Sequence, residues 1–221
     1  MNSRSASPTC AKAPDSLGRC PMNVLNYLLE HTAVYSLWQA PFATAKLAPF
    51  FAHNNIAHAR RVLDVGCGPG TNTALFAHAE YFGVDINPKY IAYARRKYKR
   101  EFAVADVSSY DENPPNEYDL VLVNSFLHHL ETADCSKILQ RLATWLSADG
   151  HIHLLELVLP EDRSASQFLA RADRGKFVRP IDEWRKLFED HLALSVFEPY
   201  PMRVAGTTLW NMVYCKAKAK S

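Results

Sequence analysis

The 221-residue sequence has no C-x-x-C pair; its five cysteines, Cys10, Cys20, Cys67, Cys135 and Cys215, are scattered, and full pairing would leave one over. Free thiols in a reducing cytosol are the simplest account. Long apolar runs are missing as well. Residues 1–20, MNSRSASPTCAKAPDSLGRC, are polar and proline-containing, without the apolar stretch of a signal peptide, and no later run could span a bilayer. The expectation is a cytoplasmic protein with a disordered start and no membrane partner. Neither sign of charge dominates, because a formal net charge of +2 gives no global pull towards nucleic acid or anionic membranes. No internal repeat and no second domain boundary are visible.

What is present is enough hydrophobic content, 48%, to build one α/β core, in a chain too short for two catalytic domains. The organising stretch is Arg61 to Asn72, RVLDVGCGPGTN. Val62, Leu63 and Val65 suit a strand buried on both faces, and Gly66 ends it. Gly66, Gly68 and Gly70 then alternate where the backbone must turn sharply and approach a ligand. Thr71 or Asn72 is placed to cap a following helix whose free N–H groups suit a carboxylate or phosphate. A dinucleotide loop would read G-x-G-x-x-G, with Gly or Ala where Thr71 stands; this one reads G-x-G-x-G.

The rest alternates in an α/β manner. Apolar spacing predicts a helix over Met22 to Trp38, before the first strand. A second strand, Tyr81 to Asp85, ends on an acid about twenty residues beyond the first glycine, where a ribose-binding carboxylate is expected. Asn87-Pro88 opens a helix running through Tyr98, whose basic end is read as a solvated face, with an RNA patch as the alternative. Strands follow at Phe102 to Ala105 and Tyr118 to Asn124, then a helix from Thr132 to Leu146 and a strand from His151 to Val158. Pro160 to Arg179 fits neither periodicity and is basic; Ile181 to His191 is helical again. Leu194 to Pro199 and Thr207 to Cys215 read as strands around the loop Tyr200 to Gly206. His151 and His153 share a strand face but lack further ligands, so no metal is expected.

Asp64-Val65-Gly66-Cys67-Gly68-Pro69-Gly70 resembles motif I of class I S-adenosylmethionine-dependent methyltransferases, over roughly residues 55 to 216. The resemblance implies a Rossmann-like fold: a seven-stranded, mostly parallel sheet with an antiparallel final strand, helices on both faces and a small cap. It implies S-adenosylmethionine as cofactor, held by Gly66, Cys67, Gly68, Asn72, Asp85, Ile86, Asp106, Val107, Asn124 and Ser125, with Asp85 on the ribose and Ile86 and Val107 about the adenine. His128 and His129 follow the fourth strand, where some relatives carry an acid–His pair. They are the acid/base candidates, with packing as the alternative. Tyr35, Trp38 and Phe42 precede the core where relatives close over cofactor and acceptor. Arg174 and Arg179 lie in a basic segment, a lid for an anionic acceptor or a set of internal ion pairs. The domain reading is a tail at 1–20, one domain at 21–216 with cap elements at about 21–54 and 160–180, and a frayed 217–221. The implied activity is methyl transfer to a small-molecule acceptor by a monomer or homodimer. A cofactor-binding protein without turnover, or a nicotinamide oxidoreductase, are the alternatives.

Overall fold

A computed structural model describes residues 44–110, 117–162, 165–172, 176–204 and 206–220. Among them, helix α1 covers residues 44–52 and is followed by strand β1, Arg61–Val65. Then come β2, Glu80–Asp85; α2, Pro88–Tyr98; β3, Glu101–Val104; β4, Tyr118–Asn124; α3, Thr132–Trp145; and β5, Leu146–Val158. Helices α4, Ala165–Ala172, and α5, Ile181–His191, precede β6, Leu192–Val204, and β7, Thr207–Ala219.

The seven strands form one sheet in the order β3-β2-β1-β4-β5-β7-β6. β1 to β5 pair in parallel, and β7 runs antiparallel to both β5 and β6. Strand order reverses at β1, so the carboxyl ends of β1 and its neighbours β2 and β4 border the crevice where open α/β sheets bind ligands. Alternation along β1 explains how the layers are covered. Leu63 and Val65 pack in a core with Ile138, Leu139 and Leu142 of α3 and Trp184 and Phe188 of α5. Val62, one residue out of phase, packs with Leu47 and Phe50 of α1 and Ile91 and Ala94 of α2.

Helix α2 starts as its sequence predicts: Pro88 occupies the first turn and the Asn87 side chain accepts from Lys89 N at 3.0 Å. Arg95, Arg96, Lys97 and Lys99 at its basic end are exposed, and two of the end's arginines also reach carbonyls of the fold. Arg95 donates to Phe102 O, and Arg100 donates to Ala79 O at 2.9 Å and to Ala77 O.

Other elements depart from expectation. The glycine loop leads into a single 3-10 turn, Thr73–Phe76, because only nine residues separate Gly70 from β2. β5 starts at Leu146, opposite Tyr118, and returns to register at His151 opposite Leu120 by bulging between them. At Gly150 a Cβ would lie 2.5 Å from Tyr118 O, so the bulge requires glycine. The aperiodic 160–179 stretch contains α4, whose Ser166 hydroxyl accepts from Asn211 Nδ2 at 3.3 Å. β6 and β7 extend through most of the expected loop, and Leu192↔Ala219 pairing orders residues 217–219, where fraying was expected. The predicted helix at 22–38 lies outside the described residues, and no helix among those described is long and apolar enough to cross a membrane.

Trp184 is fully buried, and its indole N–H donates to Leu157 O at 2.9 Å. Trp184→Ala should lower unfolding stability by about 3–5 kcal/mol, from lost burial and a residual cavity. Urea titration checks this, and a loss under about 1 kcal/mol would contradict the packing described.

Candidate functional site

The chain leaves β1 through a loop in which Gly66, Gly68 and Gly70 have φ of 65°, 55° and 79°. A side chain is resisted at Gly66, where a Cβ would meet the Phe126 ring at 2.6 Å. At Gly68 a Cβ would meet nothing within 4 Å, so that side of the loop is open. Asp85, at the end of β2, fixes the loop: one carboxylate oxygen accepts from Gly68 N at 2.9 Å and the other from Asn87 N at 2.8 Å. Burial raises the Asp85 carboxyl above its ordinary range, partly offset by those two N–H donors. Cys67 is buried, and its thiol is pushed far up by burial and then by the Asp64 and Asp85 charges, which keeps it protonated and unreactive.

Beneath the loop, Asp64 is fully buried. It accepts from Tyr81 Oη at 2.7 Å and from Asn72 Nδ2 at 3.3 Å. Asn72 is thereby spent on Asp64 and makes no side-chain cap on the 3-10 turn, contrary to the helix-cap expectation. Asn124 Nδ2 donates to Asn72 Oδ1 at 3.4 Å, while Asn124 Oδ1 is buried with no partner among the described residues. An orphaned acceptor at a strand's carboxyl end suits a ligand donor. Ser125 follows with φ 55°, a left-handed conformation uncommon outside glycine.

At the ends of β2 and β3, Ile86 is 67% exposed and Val104 48%, two large apolar side chains presented to solvent side by side in the strand order. Val107 is instead a core residue, 4% exposed. Asp106 is exposed and accepts from Ser108 N at 2.9 Å and Ser108 Oγ at 2.7 Å, the contacts of a turn-forming Asp.

A 3-10 turn, Leu127–His129, follows β4, and a buried carboxylate from β5 meets it. Glu156 accepts from Phe126 N at 3.1 Å, Leu127 N at 2.8 Å and His128 N at 3.4 Å, and pairs with His128 Nδ1 at 2.7 Å. Burial alone would raise the Glu156 carboxyl, but the His128 imidazole and the Leu127 and Phe126 N–H groups outweigh it and hold it low. An ionised Glu156 only accepts, so Nδ1 of His128 carries a proton and Nε2 is the basic atom of the neutral ring. His128 is 3% exposed, whereas His129 is exposed, with the two rings 4.2 Å apart. A charged residue inside the apolar run of β5 is the sequence signal for Glu156, as Asp64, at the head of the glycine motif, is in β1.

Arg179 does not sit on a lid. It is 5% exposed, donates to Leu130 O at 2.8 Å and Phe177 O at 2.9 Å, and its guanidinium lies 4.8 Å from the centroid of the Trp184 ring. Its backbone bridges Val158, which fastens the segment's end to the sheet. Backbone carbonyls and the Trp184 ring, rather than an ion pair, hold Arg179 among the described residues. Tyr35, Trp38, Phe42 and Arg174 lie outside the described residues. Among those described, no group of three or more His, Cys, Asp or Glu could hold a metal ion.

The two buried carboxylates give opposite pH dependences. Asp64 is raised from 3.8 to about 7, chiefly by burial, against hydrogen bonds from Tyr81 and Asn72. A raised acid costs nothing below its unfolded value and destabilises increasingly as pH climbs to its folded value. Asp64→Asn should therefore stabilise the fold progressively between pH 4 and 7, by at most about 4 kcal/mol. Glu156, held low, contributes stability above the ordinary carboxylate range that is lost as pH falls. Urea unfolding across that range checks both signs; an Asp64→Asn gain that shrinks with rising pH would contradict the first.

A family profile described as a methyltransferase domain matches residues 62–150, from β1 into the bulge of β5. Trans-aconitate 2-methyltransferase of Delftia acidovorans is 27% identical over 188 residues, 77% of this chain and 68% of that protein. The enzyme of the same name from Methylobacterium nodulans is 36% identical over 112 residues, 48% of this chain and 42% of its own length. Among solved structures, the PH0226 protein of Pyrococcus horikoshii superposes with a TM-score of 0.65 at 18% identity, covering 82% of this chain and 92% of that one. A SAM-dependent methyltransferase from Methanosarcina mazei gives 0.63 at 17%, covering 78% and 98%. Strand order, loop and relatives agree: residues 62–150 form a methyltransferase domain, and the chain as a whole is similar to S-adenosylmethionine-dependent methyltransferases, with S-adenosylmethionine as the cofactor.

Proposed function

We propose that this chain transfers the methyl group of S-adenosylmethionine to a small carboxylic acid. The observation that carries the cofactor half is the loop of left-handed glycines tied by Gly68 N to Asp85, with open space over Gly68. Asp85 retains lone pairs for ribose hydroxyls after accepting from Gly68 and Asn87. Ile86, with Val104 beside it, offers apolar area for the adenine, and the unpartnered Asn124 Oδ1 offers an acceptor to a ligand N–H. Asp106, through its second oxygen, serves the adenine amino group. Cys67, Asn72 and Val107 act from behind, by packing or by holding Asp64.

The acceptor half rests on the name shared by several relatives and on the chemistry beyond β4. S-adenosylmethionine supplies a methyl carbon activated by a sulfonium. Alignment of the acceptor with that carbon is then the protein's main task. A carboxylate is already ionised at neutral pH, so no residue need take a proton from it. His128, held by Glu156, orients the acceptor, and Lys176 is exposed next to Phe177, whose N–H donates to His128 O at 3.0 Å. Tyr35, Trp38 and Arg174 are proposed to cap the acceptor side.

Asp85→Ala should weaken S-adenosylhomocysteine binding by about 10- to 100-fold in calorimetry, through loss of ribose bonds and of the loop's anchor. Unchanged affinity in the folded variant would remove Asp85 from the site. Turnover with labelled methyl donor against a panel of acids, phenols and amines tests the acceptor and separates an enzyme from a pure binder. With an acid as acceptor, His128→Ala should cost less than about 10-fold in kcat and leave its pH profile flat from pH 6 to 8. A loss near 100-fold, with an acidic limb in the unmodified protein, would make His128 a general base and the acceptor a hydroxyl or amine.

A further inference from the structure

Methyl transfer belongs to the carboxyl edge of the sheet, yet the opposite edge also carries a cavity, of about 320 Å³. It opens where residues 53–59 join α1 to β1, above the first residues of β4, His151 and His153 of β5, and Lys216 of β7. Four imidazoles line it, those of His53, His58, His151 and His153. The acid that lines it, Asp119, is already engaged: its oxygens accept from Arg61 N at 3.0 Å and Arg60 N at 2.8 Å.

The floor is built. Asn54 Nδ2 donates to Tyr214 Oη at 2.8 Å, which leaves the phenol proton to donate to His153 Nδ1 at 3.0 Å. His153 is 2% exposed and held neutral, down to about 3, by burial and then by the Lys216 and His151 charges. Its proton is therefore on Nε2, a fixed donor. Lys216 Nζ uses one donor on His53 O at 3.4 Å and has others to offer. Burial, then Lys216 and Lys218, also holds His151 below its ordinary value, which marks the local field as positive. On the rim, His53 is satisfied by Glu198 at 2.7 Å and stacks on Tyr214.

Donors outnumber free acceptors here, and a volume near the lower limit of ligand sites admits only a small molecule. We infer that the amino edge of the sheet binds a small multivalent oxyanion, phosphate-like or a polycarboxylate, in the cavity between Lys216, His151, His153 and His58. The site is separate from the cofactor loop and does not depend on which acceptor is methylated.

Calorimetry on the full chain saturated with S-adenosylhomocysteine, titrated with inorganic phosphate and separately with citrate, tests it. Saturable binding in the millimolar range by either anion is expected, and the tighter of the two identifies the source. Lys216→Ala should weaken that binding by about 10-fold while S-adenosylhomocysteine affinity is unchanged. His58→Ala, on an exposed segment, should weaken it by a smaller factor and supplies the comparison if the Lys216 variant does not fold. No saturation of either anion by about 10 mM, or binding indifferent to both substitutions, overturns the inference.

Discussion

The contact on which the site's architecture rests is one carboxylate meeting four donors. Glu156 on β5 gathers the N–H groups of Phe126, Leu127 and His128 and the His128 ring in the interior. A 3-10 turn of three residues cannot satisfy its own leading N–H groups, and its start has no side-chain cap. Glu156 supplies that cap from a neighbouring strand, and in doing so sets the direction in which the chain leaves β4. The same direction puts the Phe126 ring against Gly66, which only glycine tolerates. Removing the carboxylate would therefore release the His128 ring, the β4 exit and the floor of the glycine loop together.

Asp64 is the second buried carboxylate, and the protein treats it differently. Glu156 is compensated by backbone N–H groups and an imidazole, whereas Asp64 has a phenol and an amide and stays raised to about 7. Its contacts run in a line through Asn72 to Asn124, joining β1, the glycine loop and β4 under the ligand crevice. Such a line is costly until every member is satisfied, and the open end at Asn124 Oδ1 faces the place where the cofactor is proposed to lie.

The glycine loop, the acid ending β2, the Asn87-Pro88 helix start and the order of α and β segments were legible in the sequence, because each depends on local spacing. The architecture itself came from the resemblance and is shown in the strand order. What escaped were partners distant in sequence. Asn72 carried a capping signature and was drawn instead to a carboxylate eight residues upstream. Val107 looked like an adenine contact by position, but it lies in the turn after β3 with its side chain in the core. Arg179 stood in a basic run that read as a lid, yet three carbonyls and the face of Trp184 captured it. The bulge in β5 left no signal beyond Asp149-Gly150, which reads as an ordinary turn.

One consequence follows from the position of β7. Synthesis delivers β5, then β6, then β7, but in space β7 lies between the other two. When β6 emerges its native partner has not yet been made, and the edge of β5 that β7 will cover is still open. Both edges stay open, and both are rich in apolar residues, until a 13-residue strand enters as a wedge and satisfies them at once. The half-made sheet is thus the state most exposed to strand addition from another chain. The faster this final hairpin closes, the shorter that exposure lasts.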